Sequence, residues 1–284
     1  MLPVIFGVLV TLSQRVLSGV ASYTDFLDFG RKIGTSHFLM VVAAVWFGCN
    51  NAIREVVGER AVYRRERLVN LSLASYFGSK YVVLGALGLI QSLLMLSIVY
   101  VGMHLKANFL LELLTLLVTC LVGTGIGLCI SSMSRSTEQS IAALPLALLP
   151  LIVLGGSLAT ISDMRAREPL GYIANVAAPT RWAYEANLLL ENTALGDKAR
   201  FERKLIPVAT ARGVQSRRPA FHNTPAPAAG DGYEDLAETF FPAGEGAFRH
   251  TYGTSLARLG AMVAFWALAT LMALKRDEWE WWQG

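Results

Sequence analysis

Charge is scarce in this chain. Asp, Glu, Lys and Arg make up 16% of its 284 residues against 54% hydrophobic ones, and the mean hydropathy is +0.45. That balance excludes an ordinary soluble globular domain. Cysteine is scarcer still. Cys49, Cys120 and Cys129 sit singly inside apolar runs, with no CxxC pair and no Cys/His cluster. A disulfide framework or a metal site is therefore not expected, and all three read as small buried hydrophobes. There is no GxxxxGK[ST] loop. Gly78-Ser79-Lys80 has the ending of one but lacks the earlier glycine, so this polypeptide does not hydrolyse ATP by itself. The apolar start, Met1 to Val10, lacks the basic flank and small-residue cleavage site of a signal peptide.

A net charge of +4 taken alone is compatible with nucleic-acid binding. The arginines, however, flank apolar runs instead of gathering on one basic face, so they report membrane topology. The runs predict an all-α membrane protein with a six-span helical bundle. Met1 to Leu12 is shorter than the roughly 20 residues a crossing needs. Either it borrows Val16 to Ala21, or the chain begins partway through a span; the second is favoured. Ser22 to Ser36 is then a polar connection. The next spans are His37 to Ile53, Phe77 to Val101, Phe109 to Ile130 and Ser140 to Ile161, with a tight turn at Gly102 to Asn108. The last span is Leu256 to Leu274, closed by Lys275, Arg276 and interfacial Trp279, Trp281 and Trp282. Three parts follow: residues 1–161, a large outer loop at 162–255, and residues 256–284. Within the loop, Glu168 to Leu195 has helical periodicity, whereas Ala211 to Gly246 is rich in Pro, Ala and Gly and predicts poor order.

Short loops on one side collect Arg54, Arg60, Arg64, Arg65, Arg67, Lys80, Arg135, Lys275 and Arg276. The positive-inside rule therefore makes that side, and both termini, cytoplasmic. Gly123 and Gly127 have GxxxG spacing, which here reads as packing within the bundle. Pro145 and Pro150 interrupt the fifth span, as a kink that either lines a path or faces neighbouring helices. Gln91, Thr115, Thr119 and Thr124 read as interhelical hydrogen bonders. His37, Lys80, Glu112, Glu138 and Arg258 all lie near span ends, so no buried carboxylate or histidine of the kind an ion-coupled carrier uses is expected. An intramembrane hydrolase is disfavoured for the same reason. A transporter built this way needs its energy delivered from outside the bilayer.

The most charged stretch lies between the second and third spans. Residues 54–70 predict an amphipathic helix, with Glu55, Glu59 and Glu66 on one side and Arg60, Arg64 and Arg67 on another. Its arginines suit lipid phosphates, and its acidic line would be free to face a protein.

Residues 59–80, ERAVYRRERLVNLSLASYFGSK, resemble the segment after the second span in ABC exporters of the G subfamily, the white and pleiotropic-drug-resistance type. The match lies at Glu59, Arg60, Tyr63, Arg65, Glu66, Tyr76, Phe77 and Lys80. Pro179, Arg181, Trp182, Tyr184, Glu191 and Asn192 are similar to the re-entrant region before the last span of that family. DLAETFFP, ending at Pro242, resembles bacterial members fused to an ATPase. The resemblance runs from His37 onward. It implies a permease half in the plasma (inner) membrane that pairs with a second half, as homo- or heterodimer, and moves hydrophobic or lipid-like substrates. It further implies a nucleotide-binding domain, upstream on the same polypeptide or separate. That domain holds the ATP and Mg; this chain carries no cofactor and binds no nucleic acid. Coupling to the ATPase would fall to Glu55, Glu59, Arg60, Arg64, Arg65 and Glu66. Phe47, Leu149 and Ile152 match positions lining the substrate slit, though each also reads as plain packing. A plug above the slit maps to Ser157 and Leu158, where Ser157 departs from the expected leucine pair. A rival reading is a non-transporting membrane scaffold that binds through its outer loop.

Overall fold

The computed structural model describes residues 1–14, 23–157, 170–196, 200–202, 206–209, 215–218, 233–235, 237, 240–241 and 249–283. The architecture is an all-α bundle. Its helices are α1 (Leu2–Gln14), α2 (Tyr23–Ala52), α3 (Glu55–Gly58), α4 (Arg60–Leu68), α5 (Leu73–Met103), α6 (Phe109–Met133), α7 (Thr137–Val153), α8 (Leu170–Ala177), α9 (Pro179–Leu195) and α10 (Tyr252–Gln283). The long loop between α9 and α10 carries two small antiparallel ladders. In one, β1 (Arg200–Glu202) pairs with β4 (Tyr233–Asp235); in the other, β2 (Ile206–Ala209) pairs with β3 (Gln215–Arg218). Most of the Pro/Ala/Gly-rich part lies outside the described residues, as do Leu158 of the expected plug and the side chains of Trp279, Trp281 and Trp282.

Among the described residues, four helical stretches are long and apolar enough to cross a membrane: Asp28–Gly58, Leu73–Met103, Phe109–Met133 and Tyr252–Arg276. Leu2–Leu12 and Thr137–Val153 are apolar but shorter. The fifth expected span thus stops at Val153, not Ile161. Its helix is capped at Leu154, and the chain turns away at Gly156, which takes a φ of 92°.

Helix ends follow local chemistry. Asn108 caps α6 by accepting from the Leu110 and Leu111 N–H groups, and Ser72 and Ser136 cap α5 and α7 in the same way. His104, with a φ of 55°, closes α5 at the expected tight turn.

The expected polar connection at Ser22 to Ser36 is not a loop: the described part of it belongs to α2. Phe29, Ile33, His37 and Met40 recur every three or four residues and face the core, so one stripe is enough to hold the segment helical. At the centre, α2 and α6 cross backbone against backbone. A Cβ on Gly127 would stand 2.7 Å from the Cys49 carbonyl, and one on Gly123 or Gly48 would strike the carbonyl of Val45 or Cys120. The GxxxG pair therefore serves packing inside the bundle. Gln91 bridges helices by accepting from Asn51 Nδ2 at 2.7 Å, and Thr115 Oγ1 donates to Tyr252 Oη of α10 at 3.2 Å. Thr119 and Thr124 instead bond back within α6. Pro145 and Pro150 both lie inside α7, which continues through them.

Candidate functional site

Glu112 and Ser131 lie nineteen residues apart on α6, roughly 28 Å at about 1.5 Å per residue. That is close to a bilayer's hydrocarbon thickness of about 30 Å. Polar chemistry gathers around each, defining a charged end near Ser131 and a loop end near Glu112.

At the charged end the expected single helix is broken at Glu59 into α3 and α4. The Val56 and Val57 N–H groups donate to Ser131 Oγ of α6 at 3.1 and 3.0 Å. Arg60 donates to the Ser132 carbonyl at 2.8 Å, and Ser140 Oγ of α7 donates to the Ile53 carbonyl. Lys80 of α5 stands 2.8 Å from Glu55 and 2.6 Å from Glu59. Tyr63 of α4 packs on Tyr76 of α5, ring centroids 4.6 Å apart. The acidic line is therefore not wholly free: two of its three carboxylates hold Lys80, while Glu66 and Arg65 are exposed. Arg60 likewise points into the bundle and not to lipid. Arg64 is half-buried.

The three expected slit residues differ in exposure, although Phe47 and Ile152 belong to one hydrophobic cluster. Phe47 is 4% exposed and sits in the core, edge-on to Phe6 of α1 at 6.4 Å. Its neighbour Trp46 is exposed instead. Leu149 is exposed on α7, and Ile152 is half-buried.

The loop end holds what the sequence reading overlooked. His37 of α2 and Glu112 of α6 form a fully buried pair, Nε2 to Oε1 at 2.8 Å. His37 Nδ1 donates to the Ile33 carbonyl at 2.9 Å. Nearby Glu191 of α9 accepts from the Lys106 and Ala107 N–H groups at 2.8 to 3.0 Å. Burial lifts the Glu191 carboxyl above the usual carboxylate range, against the pull of those N–H groups and of His37. The expectation of no buried carboxylate or histidine is thus corrected. Glu112 and Glu191 lie near helix ends and His37 lies midway along α2, each alone in its stretch of sequence, and folding alone unites them. The one signal in the sequence was Glu191, already part of a motif.

Arg181 and Glu185, one helical turn apart on α9, are also fully buried, at 3.4 Å. Glu185 accepts the His250 N–H. Trp182 lies beneath the guanidinium groups of Arg181, at 4.1 Å, and Arg258, at 5.3 Å. Burial lowers the Arg181 pKa to about 10 and raises that of Glu185. Tyr184 meets Phe38, Phe240 and Phe241 edge-on at 5.2 to 5.5 Å, so the FF of DLAETFFP pins the end of the long loop to α2 and α9.

An apolar bundle with one heavily fastened charged end and the short helices α8 and α9 at the other has the make-up of an integral membrane protein. The chain belongs to the ABC-2 type transporter family, whose sequence model matches residues 2–191. It is also 30% identical over 195 residues to the ABC transporter ATP-binding/permease protein Rv1747 of Mycobacterium tuberculosis. That alignment covers 66% of this chain and 22% of the relative, so the chain spans about a fifth of the relative's length.

Proposed function

We propose that the chain is the permease part of an ATP-driven exporter that moves hydrophobic or lipid-like substrates. It works as a dimer, with both termini cytoplasmic in the plasma (inner) membrane. The nucleotide-binding partner holds the ATP and Mg, consistent with a relative named as both ATP-binding and permease. The observation that carries this reading is the fastening of α3 and α4. Direct bonds tie this short element to α5 and α6, and the Ile53 carbonyl just before it is tied to α7, so a push on it reaches three apolar helices. Exposed Glu66 and Arg65, with half-buried Arg64, offer the partner its contact. Leu149 and Ile152 on α7 supply an apolar wall toward the second copy.

The test is charge reversal of Glu59 and Glu66 to Lys in the complete transporter, reconstituted in vesicles. ATP hydrolysis should continue while transport falls to background, with the bundle still folded by size-exclusion chromatography. Unchanged transport would remove the docking assignment.

A further inference from the structure

Three potential metal ligands converge at the loop end from three separate elements. His37, Glu112 and Glu191 are all buried, and their ligand atoms lie within 4.8 Å of one another. We propose that these residues form a binding site for a divalent transition-metal ion of the zinc type.

Each side chain is already arranged for that role. The Ile33 carbonyl can only accept, so His37 Nδ1 must carry a hydrogen. Nε2 is thereby left as the ligand atom, with the ring fixed in the manner usual for metal-bound histidine. Glu191 is oriented by two backbone N–H groups of the turn after α5. Glu112 turns one oxygen to His37, while its Oε2 is buried without a hydrogen-bond partner. A buried acceptor with nothing to accept from points to a missing cation or donor.

Charge leads to the same conclusion. With a neutral imidazole, the two carboxylates carry two negative charges in an interior that tolerates little net charge. One proton shared by His37 and Glu112 offsets half of that. A divalent ion offsets all of it, and entering releases the shared proton to solvent. One nitrogen and two oxygens suit zinc, which takes three protein ligands and leaves one position open at about 2.0–2.2 Å bond lengths. Magnesium and calcium favour oxygen-only sets. Ligand atoms around tetrahedral zinc lie roughly 3.3 Å apart. A movement of roughly 1.5 Å, shared between the two carboxylate side chains, would bring the widest separation of 4.8 Å to that spacing. The bound ion would staple α2, α6 and α9 at the loop end, a role separate from the coupling element at the charged end.

The experiment uses the full chain in lipid nanodiscs, stripped with chelator and titrated with Zn²⁺ by calorimetry. Co²⁺ serves as a coloured probe of a tetrahedral N/O site. The expected result is one ion per chain, with Glu112→Gln weakening binding at least roughly 10–100-fold, the cost of losing even a supporting contact. Glu138→Gln, at an exposed position, should leave it unchanged. Absence of stoichiometric binding, or equal binding by Glu112→Gln, overturns the site. Should that variant not fold, the native chain decides. A melting midpoint that rises with Zn²⁺ but not Mg²⁺ supports the site, and no rise with Zn²⁺ overturns it.

Discussion

Lys80 Nζ stands 2.6 Å from the Glu59 carboxylate, so the start of α5 grips the break between α3 and α4. Half of the Glu59 side chain is exposed, so the pair adds at most about 1 kcal/mol to stability. Its value is positional. Lys80→Glu should therefore change the melting midpoint little yet lower ATP-driven transport at least about tenfold, as expected for a part acting through geometry. The swap Lys80→Glu with Glu59→Lys should restore much of it. Native-like transport by Lys80→Glu alone would show that the grip carries no motion.

Phe47 and Leu149 separate two meanings of an apolar residue. Phe47→Ala empties a packed site in the core, and should cost about 3 kcal/mol, the lower end for such a truncation because lipid replaces water as the reference. Leu149→Ala removes an exposed side chain and should alter stability by less than about 0.5 kcal/mol. If α7 lines the transport path, the second variant changes substrate preference while the first lowers only the yield of folded protein. Thermal melts in detergent, paired with vesicle transport, distinguish them. A fully stable Phe47→Ala with altered selectivity would return Phe47 to the slit.

Glu185 links stability to pH. Burial raises its carboxyl pKa above the unfolded value, outweighing Arg181 and the His250 N–H. The folded state thus holds a proton that the unfolded state has released. The contribution is full below the ordinary carboxylate range and is lost as pH climbs through the raised value, at no more than about 1.4 kcal/mol per pH unit. Glu185→Gln should flatten that part of a melting-midpoint profile. An unaltered slope would place the titration elsewhere.

The long apolar runs made α5, α6 and α10 legible, because a span needs little beyond length and the absence of charge. The polar half of α2 was not, since its inward stripe of Phe29, Ile33 and His37 is hidden among outward charges. The charged helix breaks at Glu59, with Val57 held by Ser131 and Glu59 by Lys80, contacts that periodicity does not encode. His37 and Glu112 are 75 residues apart, so their meeting depends on the register between α2 and α6. Arg181, Trp182 and Tyr184 were found as a motif, but not as a buried knot.

Where Gly48 and Gly123 bring two helices together with no side chain between, there is no slack to absorb sliding. A rod with that kind of seam moves as one piece. Displacement delivered at Ser131 must then reach Glu112 nearly undiminished, and the flexing that opens any path through the membrane falls to the joints around this rod and not within it.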